Sequence, residues 1–468
     1  MHGRRAPTWA AAVALVAALT ACDPAPAPRA EPADTPTPSE VAPPSARSIE
    51  CSGPVKLPDP PDDRPLYRMS MQVAPERRLV RGRTRVTFSP DLDTDRLEFR
   101  LWPNGPLQRE EGARLTTGEV RVGGRALRSR RADPTRLVAP LGEILRAGDE
   151  IVATLDWRLR VPGAVFDRIA AQGESMRLGS FFPILAWEPG VGWSRTPATS
   201  AIGETFVSPT ADFEVDIEAP RGVEVFASGG QHRDGVWRAT AVRDFAVAVG
   251  RFRTLTERAR APRPVEVTVA VERGVDVSAR DFLDQTARAL RDFGRRFGPY
   301  PWDTFTMVVN SDLSQGGIEY PTIVFQGPES LSTATSHEVA HQWFYSLVGN
   351  DQGRDPWLDE GLASYAQARA DDIMEFFDRL EIPSDVRGAL GEPMTFWERH
   401  QDDYYEGAYA QGVKALSALG PLDEVDCALR HYATRNAYLV ARPDDLVRSL
   451  RKLFPNAHQT LAGFGVEL

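Results

Sequence analysis

Lysine is nearly missing from this chain: Lys56, Lys414 and Lys452 are the only three among 55 basic side chains in 468 residues. Acidic residues outnumber basic ones by 65 to 55, which gives a net charge of -10. No basic stripe gathers along any segment, and that excludes a nucleic-acid surface. Cysteine is as scarce as lysine, with only Cys22, Cys51 and Cys427. No repeat of fixed period organises the first half, so a solenoid is excluded as well. The one long apolar run, Ala6 to Leu19, is too short to span a membrane comfortably as a mature helix. What remains is a body with 42% apolar and 26% charged residues, ordinary for a globular protein and long enough for two or three domains.

The amino terminus stands apart from that body. Two arginines within Met1 to Arg5 precede the apolar run, and "LTAC", Leu19 to Cys22, follows it, the pattern of a secretion signal. Leu-x-Ala-Cys resembles a bacterial lipoprotein cleavage box. The resemblance implies that residues 1–21 are removed, that Cys22 becomes a lipid-modified amino terminus, and that the protein is exported and anchored to the outer face of the bacterial cell membrane. An ordinary signal peptide is the alternative. Residues 22–61 are dense in Pro, Ala and small polar residues and read as a stiffened spacer. Cys51 and Cys427 then form an even pair in an oxidising compartment. A disulfide and two free thiols both fit, because sequence supplies no distance between them.

Residues 62–255 carry short runs such as "RTRVTFSP", "DEIVATLDWRLRV" and "ADFEVDIEAP" between Gly, Pro and Asp. Alternation of period two predicts half-buried strands and an antiparallel β-sandwich domain. The rhythm then changes. In "ARDFLDQTARALRDFGRRFG", Phe282, Leu283, Leu290, Phe293 and Phe297 form one helical stripe, the strand "TFTMVVN" leads to "GGIEYPTIVFQ", and helical patterns dominate beyond it. Residues 256–468 read as an α+β domain.

That second domain carries the chemistry. In "SHEVAHQWF", His337 and His341 are four residues apart, so a helix stacks both imidazoles on one face. H-E-x-x-H is a zinc pattern: two neutral imidazoles ligate at about 2.0–2.1 Å, and Glu338 stands beside the bound water as general base. A catalytic zinc takes three protein ligands and keeps one position open. Glu360, eighteen intervening residues after His341 in "WLDEGLASY", supplies the third. His232, His400, His431 and His458 stand singly, without ligand spacing. Asp359 reads equally as a partner of a zinc histidine and as an exposed helix-start carboxylate.

H-E-x-x-H, eighteen residues and a Glu within W-L-x-E-G-x-A resembles the aminopeptidase N family of zinc metallopeptidases. "GGIEY" resembles that family's G-x-M-E-N segment, which implies that Gly316 and Gly317 line the substrate cleft and that Glu319 binds a peptide's free amine. "GAYAQGVKAL" resembles the family's Tyr-x-Lys-Gly segment, which assigns Tyr409 as donor to the developing oxyanion, with Tyr404 and Tyr405 competing for the role. The resemblance implies a thermolysin-like catalytic domain over residues 256–468, a single zinc ion, peptide substrates and aminopeptidase activity. Ile318 and Tyr320 depart from the family's Met and Asn, and Gln411 from its Lys. The sequence ends at Leu468 soon after its last helices, so an active site more open than in longer members is expected. Two other readings stay open: a zinc endopeptidase or other hydrolase on the same scaffold, and a binding lipoprotein without activity.

Overall fold

A computed structural model describes residues 51, 53, 55–201, 203 and 206–468. The signal, Cys22 and most of the spacer lie outside the described residues. Among the described residues no helix is long and apolar enough to cross a membrane.

The strands expected in the first half form three larger sheets around one core, beside a two-stranded ribbon of Trp187–Glu188 and Gly192–Trp193. The largest has nine strands, with Leu66–Ala74, Leu79–Phe88 and Ile151–Arg160 adjacent at its centre. Two four-stranded sheets are built on Thr94–Arg100 with Arg136–Leu145, and on Ser175–Leu178 with Val247–Gly250. Residues 151–160 alternate in burial as "IVATLDWRLR" alternates in polarity. Val80 and Trp157 from the large sheet meet Phe99 and Leu137 from one small sheet and Met176 and Val247 from the other. Each fully buried side chain of that size stabilises by roughly 1.5–3 kcal/mol. One pairing corrects the antiparallel expectation: Leu66–Ala74 and Ala211–Glu218 run parallel, with Leu66 opposite Asp212. The chain returns to the sheet only after a long excursion, and a crossover that long permits parallel entry where a tight turn does not.

The catalytic-side sheet is mixed and five-stranded, in the order Phe252–Arg260, Pro264–Glu272, Thr304–Val309, Ile323–Gln326, Gly317–Tyr320. The two internal pairings, around Thr304–Val309, are parallel, and the two outer ones are antiparallel. The helix Ala279–Arg296 packs on it. Ser278 caps that helix by accepting a hydrogen bond from the backbone N–H of Asp281 at 3.2 Å, and the predicted stripe of Phe282, Leu283, Leu290, Phe293 and Phe297 is fully buried. Helices then follow to the end of the chain, including Leu331–Ala340 and Trp357–Ala370. Cys51 and Cys427 are bonded, which joins the end of the spacer to the helix Leu422–Arg435.

Buried charge locks the two domains together. The Arg243 guanidinium donates to the carbonyls of Ser208, Ser346, Leu347 and Leu439 at 2.9–3.3 Å. Glu188, 2% exposed, takes Arg354 and Arg442, and Arg177 reaches Asp312 at 2.6 Å. Breaking one side of such a pair leaves a buried charge without compensation, at about 3–5 kcal/mol. The cleft between the domains is therefore held in one shape.

Candidate active site

His337 lies in the last turn of Leu331–Ala340, and His341 caps its end. Glu360 sits in the first turn of Trp357–Ala370. The three converge: His337 Nε2 is 3.0 Å from His341 Nε2 and 3.1 Å from Glu360 Oε2, and His341 Nε2 is 3.5 Å from the same oxygen. Ligands at 2.0–2.1 Å in tetrahedral array stand about 3.3 Å apart, so the set fits zinc. Its chemistry fits too. Two ring nitrogens face each other, and only a cation shared with the carboxylate satisfies both without a proton between them.

The histidines are oriented from behind. His341 Nδ1–H donates to Asp359 Oδ1 at 2.7 Å and to the Phe344 carbonyl at 3.1 Å, which leaves Nε2 as the free lone pair. Asp359 is 2% exposed and also takes the Gln352 amide at 2.5 Å. The exposed-carboxylate alternative therefore does not hold for Asp359. Without a metal, burial pulls the His341 imidazole down, but Asp359 and Glu319 outweigh it and carry the group well above its ordinary range. Burial holds His337 below its ordinary range. A divalent ion would take the place of the His341 proton.

Glu338 is buried, and burial pushes its carboxyl well above the usual range. One of its oxygens, Oε2, has no hydrogen-bond partner among the described residues. Its side chain faces Gly317 so closely that a Cβ there would stand 2.4 Å from Glu338 Cγ. Gly317 must be glycine, and Gly316 before it takes φ +81°. Glu319, on the edge strand Gly317–Tyr320, offers a ligand atom within 4.8 Å of those of Glu338 and His341.

Tyr409 lies on a wide π-helical turn, Tyr405–Ala410, with its ring stacked on His337 at 5.7 Å between centroids. Burial raises its hydroxyl well above the ordinary tyrosine range, and the Glu360 carboxylate, within hydrogen-bonding reach, adds to that. Tyr404 stands edge-on to Tyr409 at 5.5 Å and Tyr405 lies 5.4 Å from it, and both also line the site, so all three sequence candidates reach it. Gln411 has turned away. It donates to the carbonyls of Gly407 and Val386 and accepts from the Gly388 N–H, so it braces the helix rather than the reaction. His337, His341, Glu360, Glu338, Glu319, Gly316, Gly317, Tyr404 and Tyr409 border one cavity of about 1290 Å³ between the domains, whereas Asp359 and Gln411 do not.

One residue at this cavity escapes sequence reasoning. Arg168, from the β domain, donates to Glu319 Oε1 at 3.3 Å. No local spacing relates the two, and nothing in "VFDRIA" marks it.

The profile of the Peptidase family M1 domain matches residues 282–464. Human aminopeptidase B is 30% identical over 210 residues, covering 39% of this chain and 32% of the relative. Leukotriene A-4 hydrolase of Xenopus laevis is 32% identical over 94 residues, 19% of this chain and 15% of the relative. The chain thus spans about a third or less of the length of these relatives. Among solved structures, an M1 zinc metallopeptidase from Deinococcus radiodurans superposes with a TM-score of 0.62 at 20% identity, over 87% of this chain and 95% of that one. A point mutant of that enzyme bound to a Tyr-Ser-Ala substrate gives 0.63 at 18%, with the same coverage. These likenesses show a shared two-domain fold. Over residues 282–464, then, the chain is similar to a peptidase family M1 domain.

Proposed function

We propose that the chain is a zinc-dependent aminopeptidase that removes N-terminal residues from peptides, exported and tethered to the cell surface through lipid on Cys22. The observation that carries the reading is Glu319: an acid that is neither one of the three metal ligands nor the base, buried beside both in a cavity large enough for a peptide end. An ammonium group is the partner such a carboxylate suits. The naming of the human relative as an aminopeptidase and the tripeptide bound by the bacterial mutant support it. The anchor rests on the sequence of residues 1–22 alone.

His337, His341 and Glu360 would hold the ion. When bound, zinc supplies Lewis acidity, lowering the pKa of water and polarising the scissile carbonyl. Glu338 takes the proton of the attacking water and returns it to the departing amine. Tyr409 donates to the oxygen on which charge develops, a contact made mainly in the transition state. Glu319 fixes the substrate amine and so sets which bond lies at the reaction point.

Free and N-acetylated peptides test this. Glu319→Ala should lower kcat/KM on free-amine peptides by roughly 10- to 150-fold, the worth of a buried charge-assisted hydrogen bond, and leave any accepted acetylated peptide nearly unchanged. Tyr409→Phe should slow both classes alike, by roughly 100- to 1000-fold. Equal losses for Glu319→Ala, or faster wild-type cleavage of acetylated peptides, would leave an endopeptidase or other hydrolase instead.

A further inference from the structure

We infer that Arg168 is a positioning residue. The β domain supplies this guanidinium to hold Glu319 at the amine subsite and to keep its carboxylate out of the metal's coordination shell. The inference rests on the aminopeptidase reading for its functional consequence, but its geometry stands by itself.

Glu319 is 5% exposed and Arg168 8%. Their side chains meet at 3.3 Å across the domain boundary. The guanidinium also lies over the Tyr320 ring, 5.6 Å from its centroid, within the reach of a cation–π contact. Tyr320, where the family resemblance expects Asn, is itself clamped by the β domain. Its hydroxyl is 3.0 Å from Ser180 Oγ, which donates to Asp244 Oδ2 at 2.7 Å. Gly179 admits the ring: a Cβ there would stand 2.3 Å from three of its atoms. The Gly179 N–H also donates to the Arg168 carbonyl at 3.0 Å. The neighbouring Asp167 accepts from the Arg168 N–H and from the Gln108 amide, so the backbone that presents the arginine is fixed at both ends.

This bracing has a target. Glu319, Glu338 and His341 form a second group able to hold an ion, next to the set of His337, His341 and Glu360. A mobile buried carboxylate so close to a divalent ion would be drawn onto it, since ligation compensates a charge that burial makes costly. A Glu319 bound to the metal would close the open position and no longer meet the substrate amine. Arg168 offers the carboxylate a different cation, 3.3 Å from Glu319 Oε1.

The test uses the full-length zinc protein and its cobalt(II)-substituted form, comparing wild type, Arg168→Met, Arg168→Lys and Glu319→Ala. Arg168→Met should reduce the preference for free over acetylated peptides, mainly through KM, on the order of 10-fold as for loss of a buried charge-assisted contact. Its cobalt visible absorbance should fall as an added oxygen ligand raises the coordination number, and Arg168→Lys should restore part of both. Adding Glu319→Ala to Arg168→Met should return the wild-type cobalt spectrum. An unchanged preference in Arg168→Met while Glu319→Ala loses it, or equal losses on both peptide classes, overturns the inference. So does an unchanged cobalt spectrum. If the wild type shows no such preference, or Glu319→Ala keeps it in full, the aminopeptidase reading falls, and the spectrum still decides whether Arg168 restrains Glu319.

Discussion

Removing Asp359 isolates how much of the metal site is made by orientation rather than ligation. In Asp359→Ala, His341 loses its 2.7 Å acceptor but keeps the Phe344 carbonyl at 3.1 Å on the same Nδ1–H, so the tautomer survives while the ring is held less firmly. Loss of a carboxylate behind a ligating histidine weakens metal binding by about 10- to 100-fold, and the surviving carbonyl places this case near 10-fold. A second cost arises at Gln352, whose amide donates to Asp359 Oδ2 while the residue is only 4% exposed. Leaving that donor unpaired costs about 1–3 kcal/mol, which for a domain of this size lowers Tm by about 2–4 °C per kcal/mol. Competition against a zinc chelator measures the first effect, and thermal unfolding of the metal-free proteins measures the second. Asp359→Asn preserves an acceptor for His341 and should keep most of the affinity. Wild-type zinc affinity in Asp359→Ala, or a loss in Asp359→Asn as large as in Asp359→Ala, would refute the orientation argument.

Three further outcomes are expected. Glu338→Gln should abolish hydrolysis yet retain one zinc per chain by metal analysis, whereas His341→Ala and Glu360→Ala should lose both; a zinc-free or active Glu338→Gln protein would contradict the assigned roles. Asp244 is buried, and burial pushes its carboxyl up to about 7 from an ordinary 3.8. The folded state therefore holds that proton more tightly than the unfolded one, and its stability contribution, full below about pH 4, is lost as pH rises to about 7. Asp244→Asn should thus gain Tm relative to wild type at pH 8 but not at pH 4, and a gap that does not change with pH would sink the assignment. Cys22→Ser should move the protein out of the membrane fraction without altering its unfolding; unchanged membrane association with no lipid on the wild-type amino terminus would rule out the anchor.

The facing of His337 and His341 was legible because its geometry is local. Four residues on a helix place His337 over His341 whatever surrounds them, and alternation in residues 151–160 likewise needs no partner to be read. Relations set only by docking were not legible. Arg168 and Glu319 are 151 positions apart in different domains, and Cys51 and Cys427 are 376 apart. The parallel entry of Leu66–Ala74 beside Ala211–Glu218 depends on where a long excursion returns. The rivalry between Tyr404 and Tyr409 has a finer cause. Five residues along an α-helix point to different sides, but in the wide turn of Tyr405–Ala410 bonds run to the fifth residue, so positions that far apart nearly overlay. Sequence offers no reliable sign of such a turn.

The bond between Cys51 and Cys427 also fixes a mechanical load path. Tension arriving along the chain from its amino-terminal end would meet the crosslink at residue 51, before the first strand at Leu66. It would pass straight into the helix Leu422–Arg435, where Arg430 also grips the Cys51 and Gly53 carbonyls. The β-domain sheets would hang from the catalytic domain as unloaded cargo. A pulling experiment on the oxidised protein should leave the β-domain strands intact, whereas after reduction the same force would reach Leu66 and peel at the centre of the nine-stranded sheet.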